Sequence, residues 1–332
     1  MKRIFILSVL ACGLLFSACS NEFELVDDWK SIPVVYGFLS LQDSAHYIRV
    51  EKAFLDPETS ALEIARNPDS LYYQDITVQL IKGGTTYTMT RVDGNLEGYP
   101  RKDGIFATMP NYLYKLDSAS INLKGRDIVK LVITDANDNT LTEASTEIVS
   151  DYFMSQSSPS EQINWDPDKT VRVRWRSTTD ESGQFYDVKA TIFYDESTVD
   201  NPTDFVRKEF NWNMGDKIDR NNEDGADIRV EGTSFFNVMV ENIDESENRL
   251  RYFREMTIEV DAGGKELFDF VKVGQANTGI TSAQVVPSFT NLSNGLGLFS
   301  SRYRLTVEGY TITGKANDFL KDLDLTENLN FQ

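Results

Sequence analysis

Apolar and polar residues alternate with a period of two along many short stretches of this chain. From Ala45 to Phe54, His46, Ile48, Val50 and Phe54 share one face while Arg49 and Glu51 point the other way, the pattern of a half-buried strand. Asp75 to Ile81 repeats it and stops at Gly83-Gly84, with Thr85 to Val92 as its expected hairpin partner. Asp127 to Thr134 leads into the turn Asp135-Ala136-Asn137-Asp138-Asn139, and Thr140 to Val149 returns. Val171, Val173 and Trp175 alternate with Arg172, Arg174 and Arg176. In Phe185 to Tyr194, Tyr186, Val188, Ile192 and Tyr194 again share a face. Further strands are expected at Phe205 to Trp212, Ser234 to Val240, Tyr252 to Val260 and Arg302 to Thr311. Helical spacing shows in 265–276, where Leu267, Phe268 and Val271 follow Gly263-Gly264, and a helical turn is expected within Thr59 to Arg66.

Frequent short strands predict a mostly β protein, and 20 Phe and 14 Tyr fit that composition. Around Ser155 to Asp168 the sequence shifts to Ser, Gln, Pro and Asp, which reads as a linker. The expected architecture is two β-sandwich domains of immunoglobulin or fibronectin type, at 33–154 and 169–314, joined by a linker at 155–168. The helix at 265–276 covers an open end of the second, and 315–332 reads as a tail.

The N-terminus changes the setting of this fold. Lys2 and Arg3 precede an apolar run from Ile4 to Phe16, the layout of a secretory signal peptide over 1–18. The run is shorter than the ~20 residues that a membrane-spanning helix needs. Leu15-Phe16-Ser17-Ala18-Cys19 resembles the lipobox of bacterial lipoproteins, which implies a diacylglycerol thioether on Cys19. The alternative is an ordinary signal peptide with a chance cysteine. Cys12 would leave with the signal, so the mature chain would hold no disulfide and no free thiol. Ser20-Asn21-Glu22-Phe23-Glu24 opens an acidic tether over 19–32 and resembles the surface-export signal of Bacteroidetes lipoproteins. A solvated acidic linker is the plainer reading of the same residues.

The formal net charge of −19 becomes −21 once Lys2 and Arg3 are removed. That balance argues against nucleic acid and anionic lipid as partners. Catalytic constellations are scarce. The one histidine, His46, lies on the apolar face of an expected strand and reads as a packed core residue. Any Ser-His-Asp mechanism would have to use this packed histidine, a Cys-His pair has no cysteine in the mature chain, zinc lacks its several His or Cys ligands, and no metal or cofactor is expected. Paired carboxylates remain open to a hydrolase, but 52 acidic residues single out no pair. Two acidic loops, Asp135 to Asn139 and Asp219 to Asp227, raise calcium, and neither fits an EF-hand. Gly295-Leu296-Gly297 lacks the third glycine of a phosphate loop. The arginines at 172, 174 and 176 read as a solvated strand face or as a dock for an acidic partner.

One longer stretch is more specific. Pro287-Ser288-Phe289-Thr290-Asn291-Leu292-Ser293-Asn294-Gly295-Leu296-Gly297-Leu298-Phe299 resembles the closing signature of a Bacteroidetes lipoprotein family of unknown function. The segments His46 to Phe54 and Asp69-Ser70-Leu71-Tyr72-Tyr73 match members of that family too. The resemblance implies two β-rich domains and an outer-membrane lipoprotein of a family often associated with TonB-dependent transporter barrels, and the export-like residues after Cys19 imply that it faces the cell exterior. It supplies no catalytic residue, and Asn291, Gly295, Gly297 and Phe299 read as structural. The expectation is therefore a lipid-anchored binding or accessory protein, not an enzyme. Adhesion or envelope structure is the alternative, and a carbohydrate-active hydrolase stands behind both.

Overall fold

The computed structural model describes residues 31–53, 60–155, 162–178, 182–218, 226–276 and 288–332. The chain is mostly β and sandwich-like. Its first part runs β1 (Ile32–Leu39), β2 (Ala45–Ala53), short helices α1 (Ala61–Ala65) and α2 (Pro68–Leu71), then β3 (Ile76–Lys82), β4 (Thr85–Thr88) and β5 (Thr90–Asp93). After these come β6 (Tyr112–Asp117), α3 (Ser118–Ile121), β7 (Ile128–Asp135) and β8 (Thr140–Glu147). The second part runs β9 (Tyr152–Met154), β10 (Thr170–Ser177), β11 (Phe185–Thr198), β12 (Asn201–Ile218), β13 (Ala226–Glu231), α4 (Gly232–Asn242) and β14 (Arg249–Gly263). It closes with α5 (Lys265–Ala276), β15 (Leu296–Tyr310) and α6 (Gly314–Asp322).

The hydrogen-bonded order β12-β11-β14-β15-β1-β2-β6-β5 hides a division along β15. Residues 296–301 of β15 pair in parallel with β1, from Val34↔Leu296 to Leu39↔Ser301. Residues 302–310 pair antiparallel with β14, from Gly263↔Arg302 to Met256↔Tyr310. One strand thus serves two sheets in turn. The first sheet faces β4-β3-β7-β8 across a core of Val35, Ile48, Val78, Leu131, Ile133 and Phe299. The second faces β13-β10-β9 and α4 across a core that includes Trp165, Trp175, Tyr186, Phe235 and Tyr310. At the crossing, Gly297 to Ser301 are all buried, because both faces of the strand are covered there.

Small polar groups pin this crossing. The Ser301 hydroxyl accepts from the Val149 N–H (3.0 Å) and donates to the Glu147 carbonyl (2.5 Å), while Gly264 N–H donates to the Ser301 carbonyl (3.0 Å). Glu266, in the first turn of α5, accepts from Thr146 (2.8 Å) and Ser300 (3.1 Å). Helix α5 therefore ties β8 to β15 beside the crossing, a more specific place than the open end expected for it.

Five further expectations change. The strand expected over Thr85 to Val92 divides at the buried Met89, whose N–H donates to Val78 (2.9 Å), so β4 and β5 enter opposite sheets. Ser234 to Val240 is helix, not strand. The run Phe235-Phe236-Asn237-Val238-Met239-Val240 is apolar nearly all round, so period alone cannot separate the two, and burial of Phe235, Val238 and Met239 follows the i, i+3, i+4 rule. The segment read as a 155–168 linker buries Ile163, Trp165 and Asp166; Trp165 stacks on Phe235 at 5.3 Å. The expected tail at 315–332 is α6 and a closing turn, with Ala316, Leu320, Leu329 and Phe331 in the second core. The boundary at 154/169 also misplaces 292–301, which complete the first core through Leu292 and Phe299.

Gly297 has φ +113°, and a Cβ there would overlap the Val35 carbonyl of the neighbouring strand. Substitution Gly297→Ala is expected to cost about 3 kcal/mol from backbone strain and overlap. Gly314, at the start of α6 with open space around it, is the control, and Gly314→Ala should be neutral or stabilising by about 0.5 kcal/mol. Urea unfolding followed by tryptophan fluorescence checks both, and equal effects would contradict the shared-strand account.

Candidate functional site

The signature residues Asn291, Gly295, Gly297 and Phe299 come together on β15 and the loop before it. The Asn291 amide donates to the Phe299 carbonyl (2.7 Å) and accepts from the Phe299 N–H (3.0 Å), so one side chain does the work of a strand neighbour. A second donation goes to the Ser145 carbonyl (3.3 Å) of β8. Gly295 and Gly297 lie against the Pro33 and Val35 carbonyls, and Phe299 is fully buried. Every one of these partners belongs to the chain's own backbone or core. Cys19 and Ser20, Asn21, Glu22, Phe23 and Glu24 lie outside the described residues.

Just past the crossing, a cleft of about 280 Å³ opens between the β1–β2 loop and the two strands β14 and β15. It is lined by Ser40, Gln42, Asp43, Asp261, Arg302 and Arg304, with Tyr303 and Thr306. Gln42 extends β15 by hydrogen bonding: its amide donates to the Arg304 carbonyl (2.7 Å) and accepts from the Arg304 N–H (2.8 Å). The Arg304 guanidinium grips Asp261 through two bonds of 2.6 and 2.8 Å. Arg302, exposed, makes no ion pair among the described residues and lies near enough to Asp43 to favour its charged form. Burial still wins at Asp43 and raises its carboxyl above the usual range, with Arg302 and His46 opposing.

His46 is 1% exposed, and neither ring nitrogen has a hydrogen-bond partner among the described residues. Burial lowers its pKa from the usual value, with the Asp43 charge working the other way. Asp261 is tied to Arg304 through both carboxylate oxygens. The cleft is lined by donors and acceptors and is of a size to hold a small polar solute. Its volume lies just under the ~300–1,000 Å³ of common small-molecule sites.

The other sequence candidates are occupied by structure. Asp135 folds its own loop, accepting from Asn139 and from the Asn137 and Asn139 N–H groups at 2.8–3.3 Å, and these bonds hold its carboxyl low. Of the second acidic loop, 219–225 lie outside the described residues, and Asp227 accepts from Arg172 (2.5 Å). Among the described residues no group of three or more His, Cys, Asp or Glu is placed to hold a metal.

A second feature was invisible to period-based reading. The long connection from β5 to β6, residues 94–111, folds over the outer face of the first sheet. Tyr47, Arg49 and Glu51 point outward there, opposite to Ile48 and Val50. The Tyr47 hydroxyl donates to Glu97 (2.8 Å), its ring meets Tyr99 at 4.7 Å, and Lys115 pairs with Glu97 (2.8 Å). Arg49 donates to Asn111 (2.7 Å), and Arg101 pairs with Glu51. Burial and the Arg49 charge bring the Arg101 guanidinium down to about 10. This polar underside fixes the loop and turns its apolar side chains outward. Leu96 is 86% and Met109 73% exposed, with Tyr99, Ile105 and Phe106 also out. Ile32, Tyr36 and Leu296 add exposed apolar surface on the same sheet face. The available signal was five large apolar residues in a Gly- and Pro-punctuated segment that shows no strand or helix period.

No protein-family model matches the chain, and no curated protein matches it. Among solved structures, the C-terminal globular domain of an oligosaccharyltransferase from Pyrococcus abyssi aligns at 10% identity over 68% of this chain, with a TM-score of 0.23. The aligned part spans 45% of that protein's chain. A likeness that slight carries no argument about fold or activity.

The single histidine makes a clean titration test. Because burial lowers the folded pKa of His46, the unfolded chain takes up its proton first as pH falls through ~6.5. Stability is then lost on acidification below that point and is unaffected by His46 above it. Asp43, raised by burial, works in the opposite sense, losing stability as pH rises through its folded pKa. Between pH 7.5 and 5.5 the folded protein should weaken by at most about 1.4 kcal/mol per pH unit, the limit for one proton. In His46→Gln that slope should flatten whatever the variant's absolute stability. Denaturant midpoints at several pH values decide it, and an unchanged slope would remove His46 as the cause.

Proposed function

We propose that this chain is a lipid-anchored accessory protein on the outer face of an outer membrane. In this reading it assists a transporter barrel in ligand capture and does no catalysis. The observation that carries the reading is the apolar loop over 94–111, hydrogen-bonded from beneath and exposed above. A chain with 52 acidic residues does not leave Leu96, Ile105, Phe106 and Met109 in water at no cost. Exposed apolar surface gathered on one face marks contact with a protein or a membrane. Among the described residues no helix is long and apolar enough to cross a membrane. The polar cleft at the crossing suits a small solute and gives a capture role somewhere to act. The signal-peptide layout and the acidic residues after Cys19 support the placement on the cell surface.

Adhesion without a transporter uses the same surface and is separated by the partner found. The test is gentle detergent extraction of native membranes with a tag after Gln332, followed by mass spectrometry. A barrel recovered in near-equal amount supports the reading, and recovery of the protein alone, under conditions that keep other membrane complexes intact, refutes it. In Ile105→Ser/Phe106→Ser/Met109→Ser the fold should be kept, since these side chains are exposed. Barrel recovery should drop at least about tenfold, as loss of about 1.4 kcal/mol or more from three contact residues requires. Undiminished recovery would place the contact elsewhere on the protein.

A further inference from the structure

Among the described residues the strand β12 lies at the outer edge of the second sheet and pairs only with β11. It is 18 residues long, and 201–209 are exposed throughout. Such an edge offers a row of unpaired N–H and C=O groups and is a template for another strand. Charged residues usually guard an edge of this kind. Here Asp204 and Lys208 stand two residues to either side of Val206, which is 55% exposed. Neither has an ion-pair partner among the described residues. Opposite charges placed symmetrically about one residue do not repel a second copy of the same edge.

We propose that two copies of this chain pair edge to edge, antiparallel, about a two-fold axis at Val206. The contact is isologous, the commonest symmetry of soluble oligomers. In that register Asp204 meets the partner's Lys208, and Lys208 meets the partner's Asp204. Because side chains alternate along a strand, both pairs and the central valines lie on one face. On the opposite face Phe205 comes across from the partner's Arg207, a cation beside an aromatic ring. That face is already braced within the chain. Asp195 of β11 accepts from Arg207 (2.5 Å) and Arg254 (2.7 Å), and the Phe205 ring meets Tyr252 edge-on at 5.4 Å. The strand is thus held in place before any partner arrives. Directly opposed charges of opposite sign stabilise a strand pair, and like charges weaken it. Any register displaced by two residues from Val206 sets Asp204 or Lys208 against an uncharged residue, so the charges also select the alignment. This inference is independent of the transporter reading.

The experiment is sedimentation equilibrium of the full mature chain in density-matched detergent over a dilution series. The wild-type chain should fit a monomer–dimer equilibrium. Asp204→Lys sets lysine against lysine and Lys208→Asp sets aspartate against aspartate, so each alone should associate at least about tenfold more weakly. An equimolar mixture of the two variants restores both opposite-charge pairs and should regain the wild-type association. That recovery also shows that neither variant has simply misfolded. Val206→Cys should form an interchain disulfide on mild oxidation beyond any cross-linking of the wild-type chain. A wild-type chain that stays monomeric overturns the proposal. So does weakening by the single variants without recovery in the mixture, or dimerisation that ignores the charges.

Discussion

The architecture depends on one strand being held by two sheets in succession. β15 leaves β1 and joins β14 within a single residue step, between Ser301 and Arg302. That handover sets what can stand at the crossing. Large side chains on both faces would drive the sheets apart, and unpaired backbone would be costly because water is excluded. The chain meets both demands with small residues. Gly297 lets β15 approach β1 closely, and Ser300 and Ser301 hydrogen-bond to β8 and to Glu266 of α5. Asn291 supplies from a side chain the bonds that a missing strand neighbour would have made.

The same crossing explains why the polar cleft lies where it does. As β15 changes partners, the strands diverge, and the β1–β2 loop fills the gap incompletely. Gln42 mimics a strand residue against Arg304, while Asp43 and Arg302 are left facing the opening. Behind them His46 is sealed in, with no partner for either nitrogen among the described residues, so its charge state bears on the stability of the first sandwich.

Surface chemistry is distributed unevenly over the two sandwiches. The first carries the outward-facing apolar loop, fixed by Arg49, Arg101, Glu97 and Asn111. The second carries a long open edge whose charges complement their own two-fold image. The two features occupy different sandwiches and ask for different kinds of partner, so one does not exclude the other.

Much of the fold was legible in the chain because strand period is a local property. The inward faces of Ile48 and Val50, of Val173 and Trp175, and of Tyr186, Val188 and Ile192 were all readable from alternation. So was the helix at 265–276. Alternation fails where a segment is apolar on every side, as in Phe235 to Val240, or where burial is supplied by distant elements, as for Trp165 and Phe331. It also says nothing about a loop whose geometry comes from cross-strand bonds, which is why 94–111 escaped notice. The sequence by itself determined the β class and many of the turns. Only the tertiary structure decided that β15 belongs to both sandwiches and that a cleft opens at their crossing. It alone also set which apolar side chains face water. The reason is physical: each of these rests on contacts between residues far apart in the chain, which local pattern does not encode.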